Sequence, residues 1–310
     1  MSGKYATEML SADAAGVARA ADLLRADGLV AVPTETVYGL AARADSDAAV
    51  ARIYEAKGRP GHNPLIVHVG SLAEARSLAE FGVEAENLAA AHWPGPLTLV
   101  LPRRRDAMLA AAVTAGLPTV AVRCPAHPTM RSVLAWARVP LAAPSANRSG
   151  FVSPTTAAHV LATLDGRIDA VLDGGPCPGG IESTIVAVRE NGQVEVLRPG
   201  PVAVAAQSPQ SPAIEAPGQL ANHYSPGKPM RLDATAARDG EFLIGFGSVT
   251  GACSLSLTGD LAEAAANLYA LLHRAAADPK PRIAVAPVPE HGLGRAINDR
   301  LRRAASPPAR

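Results

Sequence analysis

The sequence lacks the cysteine pattern of a disulfide-stabilised or zinc-binding protein. Its three cysteines, Cys124, Cys177 and Cys253, are far apart, and no C-x-x-C spacing occurs. Isolated thiols in odd number are typical of buried, reduced cysteines in a reducing compartment. We therefore expect a cytoplasmic protein whose fold does not depend on disulfides or structural zinc.

The sequence also lacks long apolar segments and a strong charge of one sign. The first ten residues, MSGKYATEML, contain no apolar core of a secretion signal, and no window approaches 18 uncharged apolar residues. This pattern argues against secretion and membrane insertion, so no membrane partner is expected. The formal net charge of +1 excludes a strongly basic nucleic-acid-binding coat but still permits a local basic pocket.

Common nucleotide-binding and hydrolase signatures are missing as well. There is no G-x-x-x-x-G-K-[ST], G-x-G-x-x-G, H-E-x-x-H or G-x-S-x-G, and Gly227-Lys228 is followed by Pro229. The polar residues of the unusual segments are instead Lys, Arg, Ser, Thr and Asn, with no evident nucleophile–base set. Such a site would act by positioning and charge stabilisation, which suits phosphoryl or nucleotidyl transfer.

The 310 residues show alternating strand and helix patterns and enough length for two domains. Strands are predicted at 29–32, 65–69, 97–101, 119–123, 170–172, 184–188 and 194–197, with helices at 71–80, 84–91, 127–137 and 155–164. Ser11 and Ser46 are predicted to cap two further helices, ended by Gly28 and by Lys57-Gly58. Ser153-Pro154 is predicted to begin the helix at 155–164. The pattern indicates a mixed α/β sheet with helices packed on it.

Residues 206–230 contain five prolines and little periodicity, which is typical of a semi-extended linker. Beyond them, strands at 241–246 and 282–286 and helices at 260–277 and 294–305 predict a small second α/β domain. We expect three parts: a first domain at 1–205, a linker at 206–230 and a C-terminal domain at 231–310.

Several segments carry polar residues where α/β proteins place ligand sites, at the ends of strands. Residues 33–40, PTETVYGL, follow a buried strand, and residues 57–64, KGRPGHNP, hold two cations in a loop able to bind phosphate. A capped turn into a short helix and a solvated loop are the ordinary alternatives. His68 alone is more often a hydrogen-bonded core histidine than a catalyst.

Arg123 ends an otherwise apolar strand, where it needs an anion partner or an exit to water. A ligand carboxylate, bound bidentately, would suit it. The loop at 142–150, AAPSANRSG, leads toward a helix start and could form an anion cradle or an ordinary turn. The glycines before Glu182 and Ser183 permit a close backbone approach.

Taken together, these segments resemble the YrdC-like threonylcarbamoyl-adenylate synthases, in their long, two-domain form. The resemblance rests on seven ordered motifs between about residues 12 and 202 (PTETVYGL, KGRPGHNPLIVHV, WPGPLTLVL, TVAVRCPAHP, LAAPSANRSGFVSPT, GGIESTIV and RPG), and continues in APGQLANHYSPGKP and GLGRAINDRLRRAA. It implies a twisted mixed sheet around a large concave cavity, with a small Rossmann-like C-terminal domain.

The resemblance implies that L-threonine, bicarbonate or CO2, and ATP with Mg2+ give L-threonylcarbamoyl-adenylate, pyrophosphate and water. The product would feed threonylcarbamoyl-adenosine formation on tRNA through a separate transferase complex, and weak tRNA binding is compatible with it. No metal-ligating residue is implied. One alternative is a non-catalytic RNA-binding module, which the low net charge disfavours. Another is a carbamoyl-transfer domain like those of hydrogenase-maturation proteins, whose acylphosphatase-like and zinc-finger segments are absent here.

The resemblance also assigns residues. For L-threonine it implies Thr34 or Thr36, His68, Arg123, the Ala143 backbone and Ser183. For ATP it implies Lys57, Arg59, Asn63, Thr119, Ser145, Asn147, Ser153 and Arg198, with Tyr224 as a lid residue and His223 as a weaker candidate. Lys57, Arg59 and Arg123 are the expected catalytic residues.

Overall fold

The computed structural model describes residues 6–207, 214–219 and 223–306, which form two β-sheets with helices packed on them. The strands of the first sheet are β1 (Glu8–Ser11), β2 (Val30–Val32), β3 (Gly39–Arg43), β4 (Ile66–His68), β5 (Leu97–Pro102), β6 (Thr119–Arg123), β7 (Leu141–Ala142), β8 (Ala170–Asp173), β9 (Thr184–Val188) and β10 (Val194–Arg198). The helices of this part are α1 (Ala14–Arg25), α2 (Asp47–Lys57), α3 (Leu72–Arg76), α4 (Val83–His92), α5 (Pro128–Ala137) and α6 (Ala157–Leu164), with a 3-10 turn at Ala111–Val113.

The order and direction of the strands bring several chain segments to one edge of this sheet. The order is β1-β8-β2-β3-β7-β4-β6-β5-β9-β10. Strands β4 and β6 are parallel, so that His68 lies opposite Arg123 at their carboxyl ends. Strand β5 is antiparallel to β6 and parallel to β9. Strands β5 and β9 therefore begin at the edge where β4 and β6 end, which is the usual place for a ligand in an open α/β sheet.

The second sheet is smaller and entirely parallel. It contains β11 (Met230–Arg231), β12 (Glu241–Gly245), β13 (Cys253–Ser254) and β14 (Arg282–Val285), in the order β11-β14-β12-β13. Helices α7 (Leu261–Ala277) and α8 (Leu293–Ala305) pack against it and share its apolar core. The predicted fold class, a large mixed sheet with a second small α/β unit, is confirmed. The strands of the first sheet precede the predicted linker, and those of the second follow it, except that β11 begins at Met230, the last linker residue. The domain boundaries themselves stay a prediction.

Three predicted helix signals are wrong. Asp13, not Ser11, caps α1, because Ser11 is the last residue of β1 and pairs with Asp173. The left-handed residue after α1 is Asp27, with a φ of 61°, rather than Gly28. Thr156, not Ser153, caps α6. The predicted cap of α2 is confirmed, because Ser46 accepts a hydrogen bond from the Ala49 amide and Gly58 is left-handed.

The predicted strands occur in the structure within about two residues of their expected ends. The sequence analysis missed β1, β3 and β7 in the first sheet. Strand β3 matters most, because it begins at Gly39, directly after the hydroxyl-rich segment for which a turn into a short helix was the alternative. Its pairing with both β2 and β7 fixes that segment beside the sheet edge. The described residues contain no helix with the length and apolar character of a membrane span.

Candidate active site

A narrow cavity lies at the sheet edge where β4 and β6 end. Its volume is about 40 Å³, and its walls come from both the first sheet and the linker. The lining residues are Thr34, Thr36, Val37, Gly39, Arg59, Ile66, His68, Arg123, Ala143, Pro144, Ser145, Glu182, Ser183, Arg198, Pro217, Gly218 and His223. The structure thus brings together nine of the residues assigned to substrates from sequence, along with His223.

Arg123 is buried in this wall and already has an anion partner in the protein. Its Nη2 donates to Glu35 Oε1 at 2.6 Å, its Nη1 to Thr36 Oγ1 at 3.1 Å, and its Nε to the Gly95 carbonyl at 3.3 Å. Burial alone would raise the pKa of Glu35, but the ion pair with Arg123 lowers it. A guanidinium has five N–H donors, so two remain for a ligand carboxylate. The sequence analysis did not foresee Glu35 as the internal partner.

The segment before β3 is held by its own hydroxyls. Thr34 Oγ1 lies 2.8 Å from Thr36 Oγ1, donates to the Val37 carbonyl at 2.7 Å and accepts from the Thr36 amide. Both threonines are buried. Because Arg123 also binds Thr36, this turn and the end of β6 form one hydrogen-bonded wall. A strand follows this segment, so the alternative interpretation of a capped turn into a short helix is wrong.

His68 faces the cavity from the end of β4. Its Nδ1 lies 3.3 Å from the Ile66 carbonyl, and burial together with the nearby Arg123 charge lowers the pKa of His68 to about 3. The imidazole is therefore neutral at physiological pH. A neutral ring beside Arg123 adds no second positive charge to this part of the wall.

Ser183 and Arg198 form the opposite part of the wall. Arg198 Nη2 donates to the Ser183 carbonyl at 3.0 Å and to Ser183 Oγ at 3.2 Å, and Ser183 Oγ lies 2.8 Å from Thr98 Oγ1. Burial lowers the pKa of Arg198. The end of β10 and the beginning of β9 are thus joined through side chains that line the cavity.

Lys57 lies behind the wall rather than in it. Its ammonium donates to the carbonyls of Ser145 and Asn147, each at 2.5 Å, and so fixes the loop after β7. Burial, together with the adjacent Arg59 charge, lowers the pKa of Lys57. Lys57 is not among the cavity-lining residues, but it holds the backbone of Ser145, which is one of them.

Arg59 and two asparagines complete this side. Arg59 lines the cavity and donates to the carbonyls of Asn63 and Pro64, and burial lowers the pKa of its guanidinium to about 10. The Oδ1 atoms of Asn63 and Asn147 are buried and have no hydrogen-bond partner among the described residues. A buried acceptor without a donor is costly, so each of these atoms is available to a donor from a ligand or water.

Besides Lys57, Asn63 and Asn147, three more residues assigned to ATP from sequence are not part of the cavity lining. Thr119 is at the beginning of β6, the strand end opposite Arg123. Ser153 is buried, and its hydroxyl donates to Glu182 Oε1 at 2.6 Å. Tyr224 is fully buried, with its ring stacked on Tyr269, while its neighbour His223 lines the cavity. The sequence favoured Tyr224 over His223 as the lid residue, but in the structure His223 is the one that lines the cavity.

The sequence analysis gave no role to Glu182, Pro217 or Gly218, which also line the cavity. Glu182 is deeply buried, and although burial favours its protonated form, Arg300 and Arg198 hold its pKa at about 2. The only signal for it in the sequence is an acid inside the otherwise apolar and hydroxylic run GGIESTIV. Pro217 and Gly218 belong to the linker, whose local sequence gives no indication of its docking site.

The described residues contain no cluster of three His, Cys, Asp or Glu side chains suited to hold a metal ion. Glu182 is the one carboxylate among the cavity-lining residues, and both of its oxygens accept hydrogen bonds from protein groups. Mg2+ in nucleotide sites keeps several waters and takes phosphate oxygens as ligands. These residues therefore fit an ion that arrives on a nucleotide better than one held by the protein.

Buried neutral histidines predict that acid destabilises the fold. Burial lowers the pKa of His68 and His223 to about 3 and that of His159 to about 4, whereas unfolded histidine titrates near 6.5. The unfolded chain thus binds more protons below pH 6.5, and each such histidine removes about 1.4 kcal/mol of stability per pH unit until its folded pKa is reached.

We expect the free energy of unfolding in urea to fall by several kcal/mol between pH 7 and pH 5. His68→Gln should flatten this dependence, whereas substitution of the exposed His62 by Gln should leave it unchanged. A stability that stays constant or rises between pH 7 and pH 5 would contradict the neutral, buried state of these rings.

Comparison with known proteins places this geometry in a family. The Sua5/YciO/YrdC family, described as telomere recombination, matches residues 22–200, and a family described as the threonylcarbamoyl-AMP synthase C-terminal domain matches residues 181–306. The chain is 45% identical to the threonylcarbamoyl-AMP synthase of Bacillus subtilis over 73% of this chain and 69% of that one. It is 39% identical to the Pyrococcus abyssi protein of the same name over 92% and 93%.

A solved structure resembles the whole chain. Pyrococcus abyssi Sua5 complexed with L-threonine superimposes with a TM-score of 0.85 at 35% identity, covering 96% of this chain and 98% of that one. The likeness therefore extends over both sheets.

Proposed function

The chain belongs to the threonylcarbamoyl-AMP synthase family, and from this membership we propose how its cavity binds the substrates and stabilises the reaction. The reaction joins L-threonine, ATP and bicarbonate or CO2 to give L-threonylcarbamoyl-adenylate, pyrophosphate and water. The observation that carries the proposal is that cationic and hydroxyl side chains line the cavity together: Arg59, Arg123, Arg198, Thr34, Thr36, Ser145 and Ser183.

We assign the threonine site to the wall around Arg123. The two N–H groups of Arg123 that the protein leaves available suit the threonine carboxylate, and His68, Thr36 and Ser183 surround the same space. The backbone of Ala143 forms its floor. The threonine complex of the Pyrococcus homologue supports a threonine site in this fold. Glu35 pairs with only part of the Arg123 guanidinium. The threonine carboxylate can therefore bind the remaining N–H groups without displacing this ion pair.

We assign the nucleotide to the side of the cavity lined by Arg59, Ser145 and Arg198. Arg59 and Arg198 supply positive charge for phosphate oxygens, which guanidinium groups bind with paired donors. Lys57 holds Ser145 and Asn147 in place, and the acceptors of Asn63 and Asn147 are available to donors. Thr119 and Ser153, which lie off the wall, stay assigned to ATP from the family resemblance alone.

The proposed reaction has two steps, and positively charged side chains stabilise the second. The threonine amine takes up CO2 to form a carbamate and releases a proton; the carbamate oxygen attacks the α-phosphorus and pyrophosphate leaves. Where bicarbonate is the carbon source, it gives CO2 and hydroxide, and the hydroxide takes up the proton released by the amine to form the water. With CO2 itself as the carbon source, no water is formed. The buried guanidinium groups of Arg59 and Arg198 face the space where negative charge grows on the phosphates, a type of stabilisation worth about 3–4 kcal/mol per donor. Mg2+ is part of the nucleotide substrate and shields its phosphates.

The cavity is too small to hold MgATP in the arrangement that the structure describes. A cavity of about 40 Å³ is far smaller than the ~300–1,000 Å³ of sites that hold ligands of nucleotide size. Pro217, Gly218 and His223 line it from the linker side. We propose that Pro217, Gly218 and His223 move away from the cavity to admit MgATP and return over it, with His223 on the cavity side and Tyr224 behind.

We further propose that the reaction takes place in the cytoplasm. There the product would be transferred to tRNA by a separate threonylcarbamoyl transferase complex, because an acyl-adenylate is a reactive intermediate that a second enzyme must consume.

Pyrophosphate release tests this proposal. We expect release from MgATP only when both L-threonine and bicarbonate are present, with L-serine a much poorer substrate because it lacks the methyl group. Release without threonine would indicate a different acceptor. No release, together with salt-sensitive tRNA binding, would favour a non-catalytic RNA-binding module instead.

A further inference from the structure

Glu182 in the cavity wall is held by the C-terminal part of the chain. Its Oε1 accepts from Ser153 Oγ at 2.6 Å, while its Oε2 accepts from Tyr269 Oη at 2.8 Å and from Arg300 Nε at 3.2 Å. Tyr269 lies on α7 and Arg300 on α8, and both are fully buried. Two of the three donors to a cavity-lining carboxylate therefore come from helices that pack on the second sheet.

The backbone before Glu182 lies directly against the same helix. A Cβ added to Gly180 would be 2.3 Å from the Ala265 carbonyl oxygen and 2.4 Å from the Ala266 Cα of α7, and Gly180 has a φ of 69°. No other residue fits at this distance and in this left-handed conformation. The loop that leads into Glu182 and Ser183 is consequently placed by α7 through direct backbone contact.

Arg300 contacts two further segments that form the site. Its Nη1 donates to the Pro199 carbonyl, the residue after Arg198, and its guanidinium lies 5.9 Å from the centre of the Tyr224 ring. The Tyr224 ring in turn stacks on Tyr269 with 5.5 Å between ring centroids. One buried arginine thus contacts the residues next to three cavity-lining positions: Ser183, Arg198 and His223.

A buried ion pair is by itself weak evidence for stability, since desolvation offsets most of the attraction. The Glu182 cluster, defined as Ser153, Glu182, Tyr224, Tyr269 and Arg300, does more than join two parts of the chain, because it reaches the cavity. Its acid lines the cavity, and its other members adjoin cavity-lining residues. The carboxylate stays ionised, because Arg300 and Arg198 oppose the effect of burial on its pKa.

We propose that Tyr269 and Arg300 are positioning residues of the active site. Acting through Glu182 and Tyr224, they fix Arg198 and His223 in the arrangement that binds the nucleotide, and they hold the Ser183 loop beside the threonine site. The C-terminal domain is then a part of the catalytic site. This inference rests on the proposed assignment of the Arg198 side of the cavity to the nucleotide.

The test compares Tyr269→Phe, Glu182→Gln, Arg300→Lys and Arg300→Met in the full chain. Tyr269→Phe removes one hydroxyl and keeps the ring stack. Arg302→Met is the matched control, because Arg302 is also an ion-paired arginine on α8 but is exposed to solvent. For each variant we would measure the Kd for MgATP by calorimetry, the KM values for ATP and threonine, kcat and the thermal midpoint.

We expect Tyr269→Phe to weaken MgATP binding about fivefold and Glu182→Gln about tenfold or more, each with a smaller increase in the threonine KM, because the Ser183 loop also borders the threonine site. These factors correspond to about 1–1.5 kcal/mol. Arg300→Lys should recover part of the binding lost in Arg300→Met, and Arg302→Met should match the parent. Because Tyr269 acts through Glu182, the double variant Tyr269→Phe/Glu182→Gln should bind MgATP within twofold of Glu182→Gln alone.

Lower thermal midpoints with unchanged MgATP binding would reduce the cluster to a structural contact and overturn the proposal. Independent, multiplying effects of Tyr269→Phe and Glu182→Gln would also overturn it. A parent chain that binds MgATP but releases no pyrophosphate would refute the proposed function instead, and the calorimetric comparison would still decide the role of the cluster.

Discussion

Replacing Arg123 by alanine is expected to raise the threonine KM at least 100-fold while changing the ATP KM less than threefold. The side chain is buried at the end of β6, and we assign its two remaining donors to the threonine carboxylate. Losing a charge-assisted bidentate contact typically costs about 3 kcal/mol, which corresponds to a factor of more than 100. Steady-state kinetics with each substrate varied in turn measures this split.

The same variant also leaves Glu35, whose side chain is 15% exposed, without its ion-pair partner, so we expect a loss of stability although the Ala126 and His127 amides still donate to it. Arg123→Ala combined with Glu35→Gln removes that unpaired charge, so the double variant should regain thermal stability without regaining threonine affinity. Arg104→Ala breaks an exposed Arg–Asp pair and should behave like the parent. Equal increases in both KM values in the double variant would refute the carboxylate assignment.

Replacing Lys57 by methionine is expected to reduce kcat about 100- to 1,000-fold. The ammonium bonds the carbonyls of Ser145 and Asn147, and its loss frees the loop that carries Ser145 into the cavity. Because Lys57 acts through this loop, the loss of rate comes from misplacing Ser145, and a misplacement of about 1 Å can reduce the rate about 100-fold. Single-turnover formation of the adenylate measures the chemical step without the contribution of product release.

Lys280→Met is the matched control, because Lys280 also donates to a backbone carbonyl, that of Glu241, but on the second sheet. It should keep the parental kcat. Lys57→Arg should recover little activity, because a guanidinium cannot reach two carbonyls in the geometry that a compact ammonium does. A Lys57→Met enzyme with a kcat within threefold of the parent would show that the loop keeps its position without the lysine.

Local signals determined which structural features the sequence could predict. Ser46 and Gly58 bound α2 as expected, because a side-chain cap and a left-handed glycine act within four residues. Ser11 was misassigned because its role is set by pairing with Asp173, more than 160 positions away. Strand β3 was missed for the same reason, since its pairing with β2 and β7 decides its conformation.

The site shows the same division between local and long-range information. Arg59, His68, Arg123 and Ser183 could be selected as candidates because each stands in a motif beside the end of a strand or helix. Glu182 could not be given a role, because its partners Tyr269 and Arg300 follow it by 87 and 118 positions. Such contacts depend on how the second sheet packs against the first, which no short motif encodes.

The positions of Tyr224 and His223 in the linker also could not be predicted from the sequence. Tyr224 was expected over the nucleotide, whereas its ring stacks on Tyr269 and Arg300 lies close above it. An aromatic residue in a proline-rich segment can pack on either side of the chain, and only the available neighbours decide which. His223, on the adjacent position, takes the cavity side as a result.

The most direct test of the account is the fate of labelled carbon. With 13C-bicarbonate, L-threonine and MgATP, the nucleotide product should contain AMP, threonine and one 13C atom by mass spectrometry, with one pyrophosphate per product. That result means that a carbamate oxygen, rather than the threonine carboxylate, attacked the α-phosphorus. An unlabelled threonyl-adenylate, or AMP without threonine, would contradict the central claim.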